Sequence, residues 1–309
     1  KLITTAQRIE GTAHHVSTHA AGVVISADPL IEHVPLQRPV KDEDSGTPMT
    51  QFPMEPIAKL GLLKMDFLGL ANLTILDRAI KLVEANGGPR LVLPDIPLDD
   101  PVTFDLLASG ETTDVFQLEG SGMRRYIQTL KPDNFRDIAA MVALYRPGPM
   151  EHIDRYIRVH HGDEAPQYPH PSVEDILKET YGVIVYQDQV LLIVQRIGGY
   201  TLGAADTFRK AMGKKVAAIM DKEKEVFLKG ADGLGYTRQE AEHVFELIEP
   251  FAGYAFNKAH AVSYALIAYW TAFFKANYPI EYMTAVLNQR LGNTEKMSGT
   301  IAECHRMGI

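Results

Sequence analysis

The chain has 309 residues, 46% of them hydrophobic and 23% charged, and 31 Lys and Arg against 39 Asp and Glu leave a formal charge of −8. That balance excludes fibrous, collagen-like and broadly disordered chains, and its acidity excludes a uniformly basic, sequence-blind nucleic-acid binder. The single cysteine, Cys304, excludes an internal disulfide and makes a reducing compartment, the cytoplasm, the default expectation.

The N-terminal KLITTAQRIEGTAHH lacks the apolar core and cleavage site of a signal peptide. No initiator Met precedes Lys1, and a helix-like pattern runs to Ile309, so a piece of a longer chain is expected. His14, His15 and His19 follow, but HHVSTH lacks the Glu of an HExxH zinc helix. Residues 22–27, GVVISA, read as a short buried strand closed by Pro29. The stretch 36–50 has loop chemistry, which makes its Asp42–Glu43–Asp44 a solvated turn rather than a metal pair.

A second strand is expected over about 61–68, GLLKMDFL, and a helix over about 71–86 ended by Gly87 and Gly88. On a strand Lys64 and Asp66 share one face, while Met65 and Phe67 turn to the other and are expected to anchor it in a core. The Lys64–Asp66 face reads either as an edge ion pair or as a carboxylate displayed to a divalent cation with a lysine near phosphate oxygens. The composition shift near residue 71 marks a candidate boundary.

Beyond Pro101 the pattern is almost wholly helical, broken at Lys131–Pro132, at Arg146–Pro147–Gly148–Pro149, between Pro166 and Pro171, at Gly198–Gly199 and from Gly233 to Gly235. The apolar runs at 113–119 and 182–187 leave strand against helix open. From Arg196 to Gly230 eight basic residues stand against four acidic ones. Lys222, Lys224 and Lys229 alternate with Glu and read as a solvated face, whereas TFRKAMGKK, with Arg209, Lys210, Lys214 and Lys215, suits anion binding equally well. In FAGYAFNKAHAVSY, at 251–264, a helix beginning near Phe256 puts Tyr254, Asn257, Lys258 and His260 at its N-terminus, either as an ordinary cap or as an anion site. The apolar run AVSYALIAYWTAFF that follows, at 261–274, falls short of the roughly 20 residues of a bilayer span and reads as a buried helix.

Seven words, in order, resemble the bacterial DNA polymerase III alpha subunits, the C family of replicative polymerases: HAAGVVIS (19–26), KMDFLGL (64–70), TTDVFQLEGSGM (112–123), ALYRPGPM (143–150), YGVIVYQDQV (181–190), RKAMGKK (209–215) and FAGYAFNKAHAVSYALIAYWTAFFKANYPIEYM (251–283). The resemblance implies an α+β fold, a partial nucleotidyltransferase-like palm sheet followed by a large, mostly helical fingers region. It assigns 1–18 to the end of the thumb connection, 19–71 to the second part of the palm and 72–309 to the fingers. Asp66 matches the third of three metal-binding palm aspartates. The other two belong to an Asp-x-Asp strand that precedes the matched part, and nothing in 1–18 resembles it.

Lys64, Arg209 and Lys210 match triphosphate contacts, with Lys210 replacing a common arginine and losing its bidentate fork. Tyr254, Asn257 and His260 match the nucleotide-facing side of the fingers. The implied reaction is template-directed DNA synthesis with two Mg²⁺ ions, on primer–template DNA and a dNTP, beside other replisome subunits and with no membrane. Two alternatives stay open: a non-catalytic, fingers-like module that binds DNA or a partner, and a zinc hydrolase built on the early histidines.

Overall fold

Two short antiparallel ladders organise the N-terminal part of the chain. The computed structural model describes residues 2–10, 16–19, 21–39, 47–213, 217–252 and 254–309, in two compact units, Lys1–Leu70 and Ala71–Ile309. The first contains α1 (Leu2–Ile9), β1 (Gly22–Ile25), β2 (Leu36–Gln37), β3 (Met49–Thr50), α2 (Met54–Lys59) and β4 (Leu63–Asp66). β1 pairs with β4 in the register Gly22↔Asp66, Val23↔Met65, Val24↔Lys64 and Ile25↔Leu63, and β2 pairs with β3. Both expected strands form, each shorter than its apolar run. Asp42, Asp44, His14, His15, Lys214 and Lys215 lie outside the described residues.

The β1–β4 ladder corrects one expectation. Directly opposed residues share a face, so Gly22, Val24, Lys64 and Asp66 form one side and Val23, Ile25, Leu63 and Met65 the other. The second, wholly apolar side is open: Val23 is 45% exposed, Ile25 41%, Leu63 58% and Met65 43%, and Phe67 beyond the strand is 62% exposed. GVVISA is therefore a strand but not a buried one, and Met65 and Phe67 do not anchor a core. Alternation fixed the two faces correctly, but it does not bury the apolar one.

The second unit runs through α3 (Ala71–Ala85), α4 (Pro101–Ser109), α5 (Ser121–Leu130), α6 (Phe135–Leu144), α7 (Ile153–His160), α8 (Glu174–Leu177), α9 (Gln187–Gly198), α10 (Leu202–Gly213), α11 (Ala217–Gly233), α12 (Arg238–Ala252), α13 (Lys258–Asn277), α14 (Pro279–Gln289) and α15 (Thr294–Met307). The fold is thus α+β, mostly helical with small antiparallel strand pairs. Helix ends carry their own signals. Asp100 caps α4 by accepting from Thr103 N at 2.8 Å with Pro101 at the first turn, and Gly110 ends it at φ +72.

Two cores form in this unit. α13, expected as a buried helix, packs against α3, α4, α6 and α14. Its Ala261, Ala265, Ala268 and Ala272 are buried at helical spacing, so the flanking helices can approach its backbone closely. Tyr269, also buried, donates to Pro97 O at 2.8 Å and accepts from Asp100 N at 3.0 Å, which satisfies its hydroxyl inside the core. The second core joins α9, α10, α11 and α12 around Phe208, Phe227 and Phe245. There α11 crosses α9 so closely that a Cβ on Gly230 would lie 1.9 Å from Gly198 O.

The run 113–119 is neither strand nor helix. Asp114 and Gln117 take positive φ (63 and 64) in successive tight turns, and these turns bury Val115 and Leu118. Charges brace the segment. Lys275, fully buried on α13, donates to Glu111 O (2.7 Å), Thr113 O (2.8 Å) and Glu303 Oε1 (2.5 Å). Arg306 adds bonds to both Glu303 oxygens and to Glu111. Burial opposes the Glu303 carboxylate, yet the Arg306 and Lys275 hydrogen bonds outweigh it and bring its pKa down to about 2. The depressed folded pKa means that this stabilisation is complete above the ordinary carboxylate range and is lost as pH falls towards 2. Lys275→Ala strips a buried carboxylate of one partner and is expected to cost about 3 kcal/mol in urea unfolding at pH 7. Glu303→Gln is expected to reduce the acid sensitivity of the midpoint between pH 5 and 3; an unchanged pH profile would remove Glu303 from that transition.

Candidate functional site

The first group of site residues stands on the β1–β4 ladder. Lys64 Nζ donates to Asp66 Oδ1 at 2.6 Å, as the shared strand face requires. The Lys64 hydrogen bond holds the Asp66 carboxyl below its ordinary range, so it is ionised at neutral pH although more than half exposed. Opposite Asp66 sits Gly22, and a Cβ there would come within 2.7 Å of Lys64 Cε, 3.0 Å of His19 Nδ1 and 3.2 Å of Asp66 Oδ1. The missing side chain is the space in which the ion pair lies.

His19 closes the group. Its Nδ1 accepts from Gly22 N at 2.7 Å and from Ala21 N at 3.1 Å, so the proton of the neutral ring is on Nε2. The 3.9 Å separation of Nδ1 from Asp66 Oδ1 is consequently proximity and not an ion pair. His19 thus caps the start of β1 through its Nδ1.

Asp66 alone does not complete a cation site. Among the described residues, the one group of three His, Cys, Asp or Glu side chains close enough to share an ion is Asp133, Asp137 and His160, remote in sequence from the ladder. Even there Asp137 Oδ1 accepts from Tyr156 (2.9 Å) and Tyr181 (3.4 Å), and Oδ2 from Asn134 (2.8 Å), so protein donors already satisfy the buried carboxyl. The donor chemistry at Asp66, an ionised oxygen ligand on a strand, fits one position of an all-oxygen Mg²⁺ shell.

The second group is on α10. Arg209 Nη2 donates to Asp206 Oδ1 at 3.0 Å and Lys210 Nζ reaches Asp206 Oδ2 at 2.6 Å. Positions 206, 209 and 210 share one helix face, and Lys210 followed by Arg209 holds the Asp206 carboxyl below its usual range. This acid was overlooked in reading TFRKAMGKK, which begins one residue too late. The i, i+3 and i, i+4 spacing could have found it.

The third group surrounds the start of α13. Asn257 is its N-cap, accepting from His260 N at 2.9 Å. The His260 ring lies 4.2 Å from that of Tyr264 and edge-on to Phe256. Tyr254, Asn257 and His260 are exposed together, whereas Lys258 is committed to Glu179 at 2.6 and 2.9 Å. Behind the turn Phe256 N donates to Val185 O at 3.0 Å and Gln187 N to Phe256 O at 2.8 Å, so the run at 182–187 is irregular backbone with one bridge. Ala255 lies in the same hydrophobic cluster as Phe208, the residue before Arg209.

A residue that sequence reading missed faces this turn. Arg146, two residues past α6, lies with its guanidinium carbon 4.0 Å from the Phe256 ring centroid and donates to Tyr254 O at 3.2 Å and Ala143 O at 3.0 Å. Gly148 follows at φ +100, and a Cβ there would meet the Tyr254 ring at 3.0 Å. The contact spans 108 positions of sequence, beyond the reach of any local pattern.

Comparison with known proteins agrees with the resemblance in the sequence. Residues 1–69 match the bacterial DNA polymerase III alpha NTPase domain family, and residues 72–235, more than half of the chain, match the bacterial DNA polymerase III alpha subunit finger domain family. The chain is similar to DNA polymerase III subunit alpha of Thermus aquaticus, 48% identical over all of this chain and 25% of that protein. It is likewise similar to those of Treponema pallidum (46%, all of this chain and 26% of that protein) and Escherichia coli K12 (44%, all of this chain and 27% of that protein). The chain spans about a quarter of the length of these curated relatives. It belongs to the bacterial DNA polymerase III alpha subunit family.

Proposed function

We propose that this chain forms part of the catalytic subunit of a replicative DNA polymerase, with residues 1–18 ending the thumb connection, 19–71 forming the second part of the palm and 72–309 the fingers. The reaction is attack of a primer 3′-hydroxyl on the α-phosphorus of a dNTP, directed by a template, with release of pyrophosphate. The observation that carries this reading is the ionised, strand-mounted Asp66 beside Lys64 in a member of this family.

Asp66 would supply one carboxylate of a two-Mg²⁺ site near the primer hydroxyl. Magnesium bound there supplies the usual chemistry of such sites, a lowered nucleophile pKa and charge stabilisation at the leaving oxygens. The chain's own cations do the rest of the electrostatic work. Lys64, Arg209 and Lys210 neutralise the triphosphate, each exchanging an internal carboxylate for a phosphate oxygen. Tyr254, Asn257 and His260 shape the face against which the incoming nucleotide lies. Primer–template DNA, a dNTP and other replisome subunits are the partners, and the cytoplasm is the compartment. No described helix is long and apolar enough to cross a membrane.

A second reading, a non-catalytic helical module that binds DNA or a partner, is favoured because Asp66 belongs to no group of three His, Cys, Asp or Glu side chains close enough to share an ion among the described residues. Mg²⁺-dependent nucleotide incorporation, compared between this chain and a full-length subunit carrying it, separates the two.

Asp66→Ala, introduced into a full-length subunit carrying this segment, is expected to abolish primer extension while leaving the circular dichroism spectrum unchanged; extension near the parent rate overturns the metal role. Arg209→Ala is expected to raise the KM for dNTP by about tenfold or more, the factor for losing one charge-assisted phosphate contact. Lys64→Met is expected to move the Asp66 pKa upward towards the ordinary carboxylate value in a carbonyl-carbon NMR titration, since the hydrogen bond that lowers it is removed.

A further inference from the structure

Arg146 has no place in the nucleotide contacts just described, yet its surroundings are unusual for a cation. The side chain is half-buried, and burial alone pulls its pKa below the ordinary guanidinium value, with no neighbouring carboxylate acting the other way. No ion pair to Arg146 occurs among the described residues. A charge withdrawn from water without a counter-ion is costly unless other groups compensate. Two of the three compensating contacts come from one place. The guanidinium carbon lies 4.0 Å from the Phe256 ring centroid, and Nη2 donates to the Tyr254 carbonyl at 3.2 Å; the third contact, to Ala143 O, fixes the side chain to the last turn of α6.

The turn presented to solvent above these contacts carries Tyr254, Asn257 and His260. Its other side is bonded to Val185 and Gln187, so Arg146 is the charged half of a two-sided clamp. Gly148 completes that half, because its positive φ and missing Cβ let the Tyr254 ring settle against the chain.

We propose that Arg146 is a positioning residue for nucleotide binding, acting through the Tyr254–Asn257 turn by its planar fork and ring contact and not by its charge alone. The proposal rests on the reading that Tyr254, Asn257 and His260 face the incoming nucleotide. Lysine cannot substitute, since an ammonium offers neither a flat face for Phe256 nor donors fixed in a plane towards two carbonyls.

The test is single-nucleotide incorporation by a full-length subunit carrying this segment, with Arg146→Lys and Arg146→Gln measured beside the parent. Both variants are expected to raise the KM for the complementary dNTP by about tenfold, in line with loss of a desolvated ring contact and a charged hydrogen bond, with kcat changed less than about threefold. Affinity for primer–template DNA and the thermal midpoint are expected to stay at the parent values. Gly148→Ala disturbs Tyr254 without touching a charge and is expected to give the same KM signature.

Rescue by Arg146→Lys would show that charge alone matters and would overturn the proposal. Weaker primer–template binding with a shallower salt dependence would make Arg146 a DNA-phosphate contact and overturn it as well. So would a lowered thermal midpoint with kcat lost and KM unmoved. The underlying reading is tested separately: Tyr254→Ala and Asn257→Ala leaving the KM for dNTP unchanged would sink that reading, whereas a raised KM in those variants and not at Arg146 would sink this inference alone.

Discussion

The cations proposed to meet a triphosphate are already held by carboxylates of the same chain. Lys64 is bonded to Asp66, and Arg209 with Lys210 to Asp206. This pairing constrains the chemistry in two ways. It keeps flexible, like-charged side chains oriented on one strand face and one helix face before any ligand arrives, which lowers the ordering cost of binding. On the proposed reading binding would be an exchange, a phosphate oxygen at Lys64 replacing the Asp66 oxygen that now holds it. Exposed pairs of this kind contribute little to stability, so the exchange costs the fold little.

The ladder that carries Asp66 shows how much of such a site local sequence encodes. Alternation of side chains placed Lys64 and Asp66 together, and the structure brings them within 2.6 Å. The same alternation put Met65 on the far face but could not say what covers it, because burial belongs to the neighbouring layer and not to the strand. Gly22 was equally silent. Its role appears only once the register sets it opposite Asp66, where any Cβ would intrude on the pair.

Elsewhere, legibility followed the range of the interaction. The buried helix at 261–274 and its Asn257 cap were readable because apolar run and capping residue adjoin in sequence. The pairing of Asp206 with Arg209 and Lys210 was readable from helical spacing once the helix was assigned. The run 113–119 was not, since Asp114 and Gln117 occupy left-handed backbone that neither residue demands. Asp114 is held there by a long-range bond, Tyr282 Oη donating to Asp114 O at 2.6 Å. Arg146 is the extreme case, a residue whose partner Tyr254 lies 108 positions away in the sequence.

Those two cores explain why the Tyr254–Asn257 turn has a defined shape despite its exposure. Ala255 packs in the cluster of α9 to α12, while Ala261, six residues later, is buried in α13, which packs on α6 and α4. The turn is therefore a strap between cores, and each core holds it by a different chemistry. Backbone bonds with Val185 and Gln187 fix it to one side, and the Arg146 guanidinium over Phe256 fixes it to the other. Displacing the turn with either core alone would break the contacts made by the other. A surface turn restrained in this way can present an amide, an imidazole and a phenol in a defined arrangement without being buried, which is what the proposed nucleotide-facing role would ask of it.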